Sequence, residues 1–512
     1  MISFRALVPI LTIFLMLILK LSGGVGTAGA QIIQSPVNVA LGGGGTANTT
    51  GYEALFINPA NLFIQEKEYR FQVSAGNSGF FFSSPLNRPD LSDFFDTFDQ
   101  QVHFYSGSPY HLDQIARDQL ISRNYGTADL LSEHHTRGEI HWLGMHWSRL
   151  DKSFAFSART RLGNRYVVGR GYYDQSPVET PDAFELDRSL IHQYQTLHEL
   201  SFGYAESFDF VNGLIPGLGQ LIIGIAPKFV IGGPYLDTEY MDKYQSDHDS
   251  NLLFNRVHSY NHLSTGIFSE AGKRLQWGEP PFHSEANRND LFSPTGFGAG
   301  LDFGLTYLIT LGDDLSVIRG ETSGTRKSLR FSFAITDVGF ISYNDNPREF
   351  SSEADTILTG PLPESSETLF LGHPGEQYHF LGENGTHPLL DAENRSDDNF
   401  SVMMPTAVHS GILFQINRIK LMGDLSLGFT NNAFNTTRLT SYIGAELRPF
   451  SFLPVRGGMR VASNLTDYYS FGAGLETRYF DLNLAVQLRG RSTGPTNEIT
   501  GVSLAALKFY IP

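Results

Sequence analysis

The chain has no cysteine among its 512 residues, which excludes disulfides, thiolate metal sites and cysteine nucleophiles. Beyond its first thirty residues it also lacks any apolar run near the roughly 18 residues that a spanning helix requires. Basic charge is in the minority, with 37 Lys and Arg against 53 Asp and Glu and a net charge of −16. That balance argues against a surface built on phosphate contacts, so no nucleic-acid partner is expected. Catalytic signatures are missing too: there is no Gly-x-Ser-x-Gly elbow and no phosphate loop. The His residues fall as His134–His135, His141 with His146, and His198 beside Glu199. None of these spacings is a zinc-binding His-Glu-x-x-His helix, so neither metal nor cofactor is expected, nor an enzyme. What is present is 41% hydrophobic residues and 52 glycines, enough for a large core or one large barrel.

The stretch from Tyr468 to Arg489 sets the reading. Tyr469, Phe471, Ala473 and Leu475 alternate with Ser470, Gly472, Gly474 and Glu476; then Leu482, Leu484, Val486 and Leu488 alternate with Asp481, Asn483, Gln487 and Arg489. A period of two places successive side chains on opposite faces of a strand, so this is a hairpin with a very tight turn. Each arm is about ten residues long, enough to cross a bilayer when tilted.

The same alternation defines fourteen strands: 66–82, 138–148, 152–168, 197–209, 219–231, 295–311, 326–341, 407–416, 420–429, 438–448, 456–463, 468–478, 481–490 and 500–511. Their connections sort by length, with short links on one side and the long loops 83–137, 169–196, 232–294 and 342–406 on the other. Short inner turns, long outer loops and an even strand number are the pattern of bacterial outer-membrane barrels. A soluble sheet would show the same alternation strand by strand, but it has no reason to sort its loops. The expected fold is therefore all-β, a transmembrane antiparallel barrel of about 14 strands over 66–512.

The amino-terminal residues 1–30 carry Arg5, an apolar run from Ala6 to Leu19, and Ala28-Gly29-Ala30, which reads as a cleaved secretory signal peptide. Residues 31–65 follow with Gly42, Gly43, Gly44 and Gly45, then Asn58, Pro59 and Ala60. Gly42, Gly44 and Ala47 formally match a dinucleotide fingerprint, but no strand precedes them and no βαβ unit follows.

This region resembles the start of FadL-type outer-membrane barrels and of related barrels of Bacteroidota, an uncharacterised branch close to PorV-type barrels. The likeness rests on Gly42 to Gly45, Ala47, Ala54, Phe56, Asn58, Pro59 and Ala60, and on Ile335-Thr336-Asp337-Val338-Gly339-Phe340-Ile341. It implies a hatch, residues 31–65, folded inside the barrel, with Gly42–Gly45 and Asn58–Ala60 on the substrate path. It also implies residence in the outer membrane of a Gram-negative bacterium, surrounded by its lipid.

On the non-apolar faces of the strands lie Arg159, Arg161, Asp302, Arg330, Asp424, Glu446, Arg448, Arg460, Glu476, Arg478 and Arg489. A charge facing lipid at mid-depth costs about 2–4 kcal/mol for Arg or Lys, so all are expected to face the lumen. They either pair across it, holding neighbouring strands, or line a passage. The acidic stretches Tyr343–Asp355 and Asp391–Asp398 lack the ligand spacing of a calcium loop, and Asp90–Asp99 and His111–Ile121 read as short amphipathic helices. The expected function is passive transport of a small hydrophobic ligand across the outer membrane. The alternative is a non-transporting scaffold that docks secretion-system or surface-assembly proteins, suggested by the size of the long loops.

Overall fold

In the computed structural model, the described residues are 35–67, 69–83, 121–122, 125, 127, 129–149, 152–172, 176–208, 218–246, 253–269, 290, 292–310, 327–352, 358–360, 394–462, 468–489, 498–504 and 507–511. Residues 1–30, expected to be a signal peptide, Asp90–Asp99, all of His111–Ile121 but its last residue, and much of the long loops lie outside them. The long loops were also the ground for a docking role.

The chain forms a closed antiparallel barrel of fourteen strands. Strand β1 is Phe71–Ala75 and Asn77–Ser83, interrupted at Gly76, which takes a φ of +72°. There follow β2 Leu131–Arg149, β3 Lys152–Gly169, β4 Leu190–Phe208, β5 Leu218–Ser246, β6 Gly296–Thr310 and β7 Lys327–Tyr343. Next come β8 Phe400–Met403 with Ala407–Ile416, β9 Ile419–Gly428, β10 Thr440–Phe450 and β11 Leu453–Ala462. The last are β12 Tyr468–Glu476, β13 Phe480–Arg489 and β14 Glu498–Leu504 with Leu507–Ile511. Each pairs with the next, and β1 closes on β14 with Phe71 opposite Ile511 and Phe81 opposite Gly501. Closure leaves no sheet edge with unpaired N–H and C=O groups, the condition for backbone to sit in lipid.

The two faces are inverted relative to a soluble protein. Outside, Phe202, Phe229, Phe297, Phe303, Phe331, Phe340, Phe471, Leu484 and Phe509 are exposed. Their inward neighbours Ser201, Lys228, Asp302, Arg330, Ser470 and Asn483 are buried. Apolar outside and polar inside is what a barrel wall in lipid requires.

Several expected boundaries move. The first strand starts at Phe71 rather than 66, because Glu66 and Lys67 are held by ion pairs to Lys420 and Asp481 instead of a β-ladder. Strands β2, β4 and β5 run well past the expected ends at 138, 197 and 231 into stretches expected to be loop. There both faces of the ladder carry polar residues, Glu133, Gln193 and Asp237 on one and His192 and Thr238 on the other, so the alternation fades while hydrogen bonding continues. A further strand, Phe254–Ser264, pairs with this extension of β5, and Arg348–Ser352 and Asn394–Ser396 add to it. The tight turn in the 468–489 hairpin is Thr477–Tyr479, with Glu476 opposite Asp481.

Replacing Phe303, exposed in the middle of β6, by Arg is expected to cost about 2–4 kcal/mol in reversible unfolding from lipid vesicles. A loss below about 0.5 kcal/mol would show that this face does not meet hydrocarbon.

Candidate functional site: the filled lumen

Residues 35–64 are buried almost throughout and reach strands on all sides of the ring. The segment begins with a one-turn helix, Pro36–Ala40, whose N-cap Ser35 hydroxyl accepts from the Asn38 N–H. Gly42 and Gly43 follow with φ of +89° and +102°, a path that other residues rarely take. Any side chain at Gly42 would also strike the Met459 backbone at 2.7 Å. The turn aims the Thr46 N–H at the Asp424 carboxylate, 3.1 Å away. Room for that carboxylate comes from Gly44, where a Cβ would lie 2.6 Å from Oδ2, and from Gly411 on β8.

The Asn58-Pro59-Ala60-Asn61 stretch is a clamp. Asn58 caps the short helix Pro59–Phe63 by accepting from the Ala60 N–H at 3.2 Å, with proline at the first position, where its missing N–H costs nothing. The Asn58 amide donates to the Thr46 carbonyl and to the Thr306 hydroxyl, both at 2.9 Å. Asn61 donates to the same carbonyl at 2.8 Å and accepts from Thr306 at 2.7 Å. Four polar groups that would be orphaned inside the barrel are thus satisfied by each other. Gly224 and Gly304 allow this contact, since a Cβ at either would collide with Pro59 or Asn58.

The segment has two unlike sides. Against β3 to β6, Leu55, Phe56, Ile57, Leu62 and Ile64 form one apolar core with Ala155, Ala205, Ile222, Ala226 and Leu308. At the short-turn end the contacts are ionic: Lys508 meets Glu53 at 2.8 Å, Lys420 meets Glu66 at 2.5 Å, and Lys67 pairs with Asp481. Burial raises the Glu66 carboxyl, but Lys420, Arg330 and Arg448 outweigh it and bring the pKa down to about 2, so this contact is ionic at neutral pH. Beside these pairs a polar recess opens, lined by Glu66, Lys67, Arg456 and Glu476 among others.

Above the segment lies a layer of buried charge. Glu199 receives Arg159 at 2.6 Å and Arg161 at 2.5 Å; Arg159 also reaches Glu139, and Arg161 reaches Asp337. Lys228 bridges Asp302 at 2.8 Å and Asp337 at 2.6 Å. Asp337 sits at a bulge between β6 and β7 with a φ of +57°, and its N–H donates to Asp302 at 2.6 Å. The Phe56 ring of the amino-terminal segment lies under this layer, 3.7 Å from the Arg159 guanidinium carbon.

From the long-loop end, the connection 429–439 folds inward. Asn432 accepts from the N–H groups of Phe434 and Asn435 at 2.9 and 2.8 Å, closing a turn whose tip, Ala433-Phe434, is buried. Asn435 ties the turn to the carbonyls of Pro405 and Thr406. The Phe434 ring lies 4.8 Å from the Arg161 guanidinium carbon.

Of the charges expected in the lumen, Arg159, Arg161, Asp302, Arg330, Asp424, Glu446, Arg460 and Glu476 are buried. Arg448 is partly buried and bridges Glu446 and Glu476 at 2.8 and 2.7 Å. Arg330 donates to the Ala47 carbonyl at 3.5 Å, and Arg460 lies 4.0 Å from the Tyr468 ring centroid. Arg478 is a correction: it stands exposed in the Thr477–Tyr479 turn, past the end of the ladder, where strand parity no longer decides direction. The Arg489 side chain lies outside the described residues. The expected lumen charges leave out Lys228, Glu139 and Arg456, although each shares a face with one that is included: Glu139 stands opposite Arg161, Arg456 opposite Glu446, and Lys228 two residues from Ala226, which is opposite Asp302. The inward turn at Phe434 had no such signal. Among the described residues no group of three or more His, Asp or Glu could hold a metal ion.

A family model described as a family of unknown function, DUF5723, matches residues 67–486, which is most of the barrel. The chain belongs to DUF5723. No curated protein matches the sequence. Among solved structures, DUF5723 as represented by this chain is similar to the Ralstonia pickettii toluene transporter TbuX at 13% identity, over 96% of this chain and 100% of that one, with a TM-score of 0.40. The Pseudomonas putida toluene transporter TodX matches at 10% identity over 96% and 99%, with a TM-score of 0.39. A Pseudomonas aeruginosa FadL homologue matches at 11% over 94% and 98%, with a TM-score of 0.38. At these scores none of them carries a function over to this chain.

Replacing Asn58 by Ala removes both amide donations, to the Thr46 carbonyl and to the Thr306 hydroxyl. Amide exchange across residues 44–62 is expected to accelerate about 10- to 100-fold, the rate equivalent of two lost buried hydrogen bonds, while protection in β10–β13 is unchanged. Unchanged exchange in 44–62 would show that Asn58 does not clamp the segment.

Proposed function

We propose that this member of DUF5723 resides in the outer membrane and lets small hydrophobic molecules cross it passively, with residues 35–64 acting as a hatch. The observation that carries this reading is the wall under the segment. From β2 to β6 the lumen side presents Gly144, Ala155, Gly203, Ala205, Ile222, Gly224, Ala226, Gly304 and Leu308. This is a strip of small and apolar residues beside the layer of buried charge, and the segment covers it.

If the segment swings away, the strip becomes an apolar groove along the inside of the wall, and an apolar molecule can replace the buried side chains of Leu55, Phe56 and Leu62 there. The layer of paired charges would reject such a molecule, because separating buried partners costs several kcal/mol. The opposite side of the segment is held by ion pairs to Lys420, Asp481 and Lys508, which can exchange for water at the open short-turn end. The apolar side and the exchangeable side therefore suit a hinged plug, with substrate entering from between the long loops. Secretion through the envelope by removal of residues 1–30 belongs to the same proposal.

Because the chain has no native cysteine, one engineered pair can lock the segment. A Cβ at Gly444 would lie 3.0 Å from that of Leu41, within a small backbone adjustment of disulfide geometry. In the variant Leu41→Cys, Gly444→Cys, uptake of small apolar molecules into proteoliposomes is expected to fall at least about tenfold on oxidation and to return on reduction, a barrier change of about 1.4 kcal/mol or more. Equal uptake with the disulfide fully formed would rule out movement of the segment as the gate.

A further inference from the structure

Phe434 is an unusual tip for a surface turn. Its neighbours Thr430, Asn431, Asn432, Asn435, Thr436 and Thr437 are all polar, yet the ring is driven into the barrel and is 3% exposed. It enters a chamber formed by Leu197, Val230, Ile341, Tyr343 and Met404, each fully buried. The wall is cut away to admit it: at Gly163 on β3 a Cβ would stand 2.9 Å from two carbons of the ring and 2.8 Å from the Ala433 carbonyl. The floor is the face of the Arg161 guanidinium, 4.8 Å from the ring centre. At the rim, the rings of Tyr235, Tyr343 and Phe400 form a mutual cluster with centroids 5.1 to 5.9 Å apart.

We infer that this chamber is a binding site for a neutral six-membered aromatic ring, and that Phe434 occupies it as a tethered stand-in for the ligand. This deepens the proposed transport function, on which it rests, by naming a class of substrate and the first place it is held. Two features select an aromatic over a saturated ring, and one selects a neutral ligand over an anion. A guanidinium face attracts a π system and gains nothing from a cyclohexane. Arg161 is already paired with Glu199 and Asp337, so it has charge to offer a quadrupole but none left over for an anionic group. The Tyr and Phe rings at the rim offer edge-to-face contacts that need a second ring. The turn can withdraw as a unit, since its own hydrogen bonds through Asn431 and Asn432 are internal. Asn435, the Phe434 ring and the Gln193 amide, which donates to the Asn431 carbonyl at 3.3 Å, fasten it to the wall.

A tethered competitor lowers the apparent affinity of a free ligand by the fraction of time it is bound, so removing it should unmask the site. In nanodiscs, the variant Phe434→Ala is expected to melt at a lower temperature than the wild type and to regain most of the loss in saturating toluene. Methylcyclohexane, of similar size but without a π system, should not restore it. The double variant Phe434→Ala, Val230→Phe, in which the larger side chain on the chamber wall fills the vacated space, should not respond to toluene. Toluene should bind Phe434→Ala at least about tenfold more tightly than the wild type. The inference is overturned if toluene leaves Phe434→Ala unchanged, if methylcyclohexane restores it equally, or if the double variant responds as well.

Should Phe434→Ala not fold, 4-fluorophenylalanine at position 434 in the otherwise intact protein gives a second reading. Its fluorine resonance should move toward the solvent value as toluene is added, and a fixed resonance at saturation overturns the site. Toluene binding is also expected to survive oxidation of the engineered disulfide between positions 41 and 444. Failure of the hatch and failure of this site are therefore separate results.

Discussion

Glu199 shares its carboxylate between two guanidinium groups, and the interior is organised around that sharing. Arg159 and Arg161 lie one strand-period apart on β3 and point the same way, so the two cations would repel unless anions from β2, β4 and β7 met them. A barrel in lipid must turn its polar residues inward, and an inward charge without a partner costs far more than one on a wet surface. The paired layer answers that constraint while leaving guanidinium faces open above and below. Both plugs use them, Phe56 lying on Arg159 and Phe434 on Arg161. Among the described residues the interior is therefore filled from opposite ends onto one ionic layer.

The amino-terminal segment is fixed by chemistry of a different kind. Its polar backbone is satisfied by side chains placed for the purpose, Asp424 for the Thr46 N–H and Asn58 with Asn61 for the Thr46 carbonyl. Glycines at 411, 224 and 304 on the wall make the approach close enough for those bonds. The apolar side of the segment packs on the small residues beneath it, Ala155, Ala205 and Ala226 among them.

The fold was legible because lipid imposes a strict code: each outward position along β6 or β12 must be apolar, so alternation at Phe297–Tyr307 or Tyr469–Leu475 could not be mistaken for a helix. The same code failed where lipid ends. The upper parts of β2, β4 and β5 are ladders with two polar faces, and their residues looked like loop. Arg478 was misplaced for the related reason that parity was carried one step past the last ladder pair. The Asn58-Pro59-Ala60 motif announced that something happens there, but the bonds it makes run to Thr46 and Thr306, partners 12 and 248 residues away. Sequence spacing says nothing about such pairs. The seat of Phe434 depends on Gly163 and Arg161 in the same way, and a single phenylalanine in a polar turn gives no sign of its direction.

Steady ion conductance of the intact protein in a planar lipid bilayer tests the filling of the interior from both ends most directly. With the amino-terminal segment, the paired charges and the Phe434 turn all in place, no current above that of the bare bilayer is expected at either polarity. A stable porin-like conductance from the native protein would mean that water and ions pass where Phe56, Arg159, Arg161 and Phe434 are in contact, and would contradict the account.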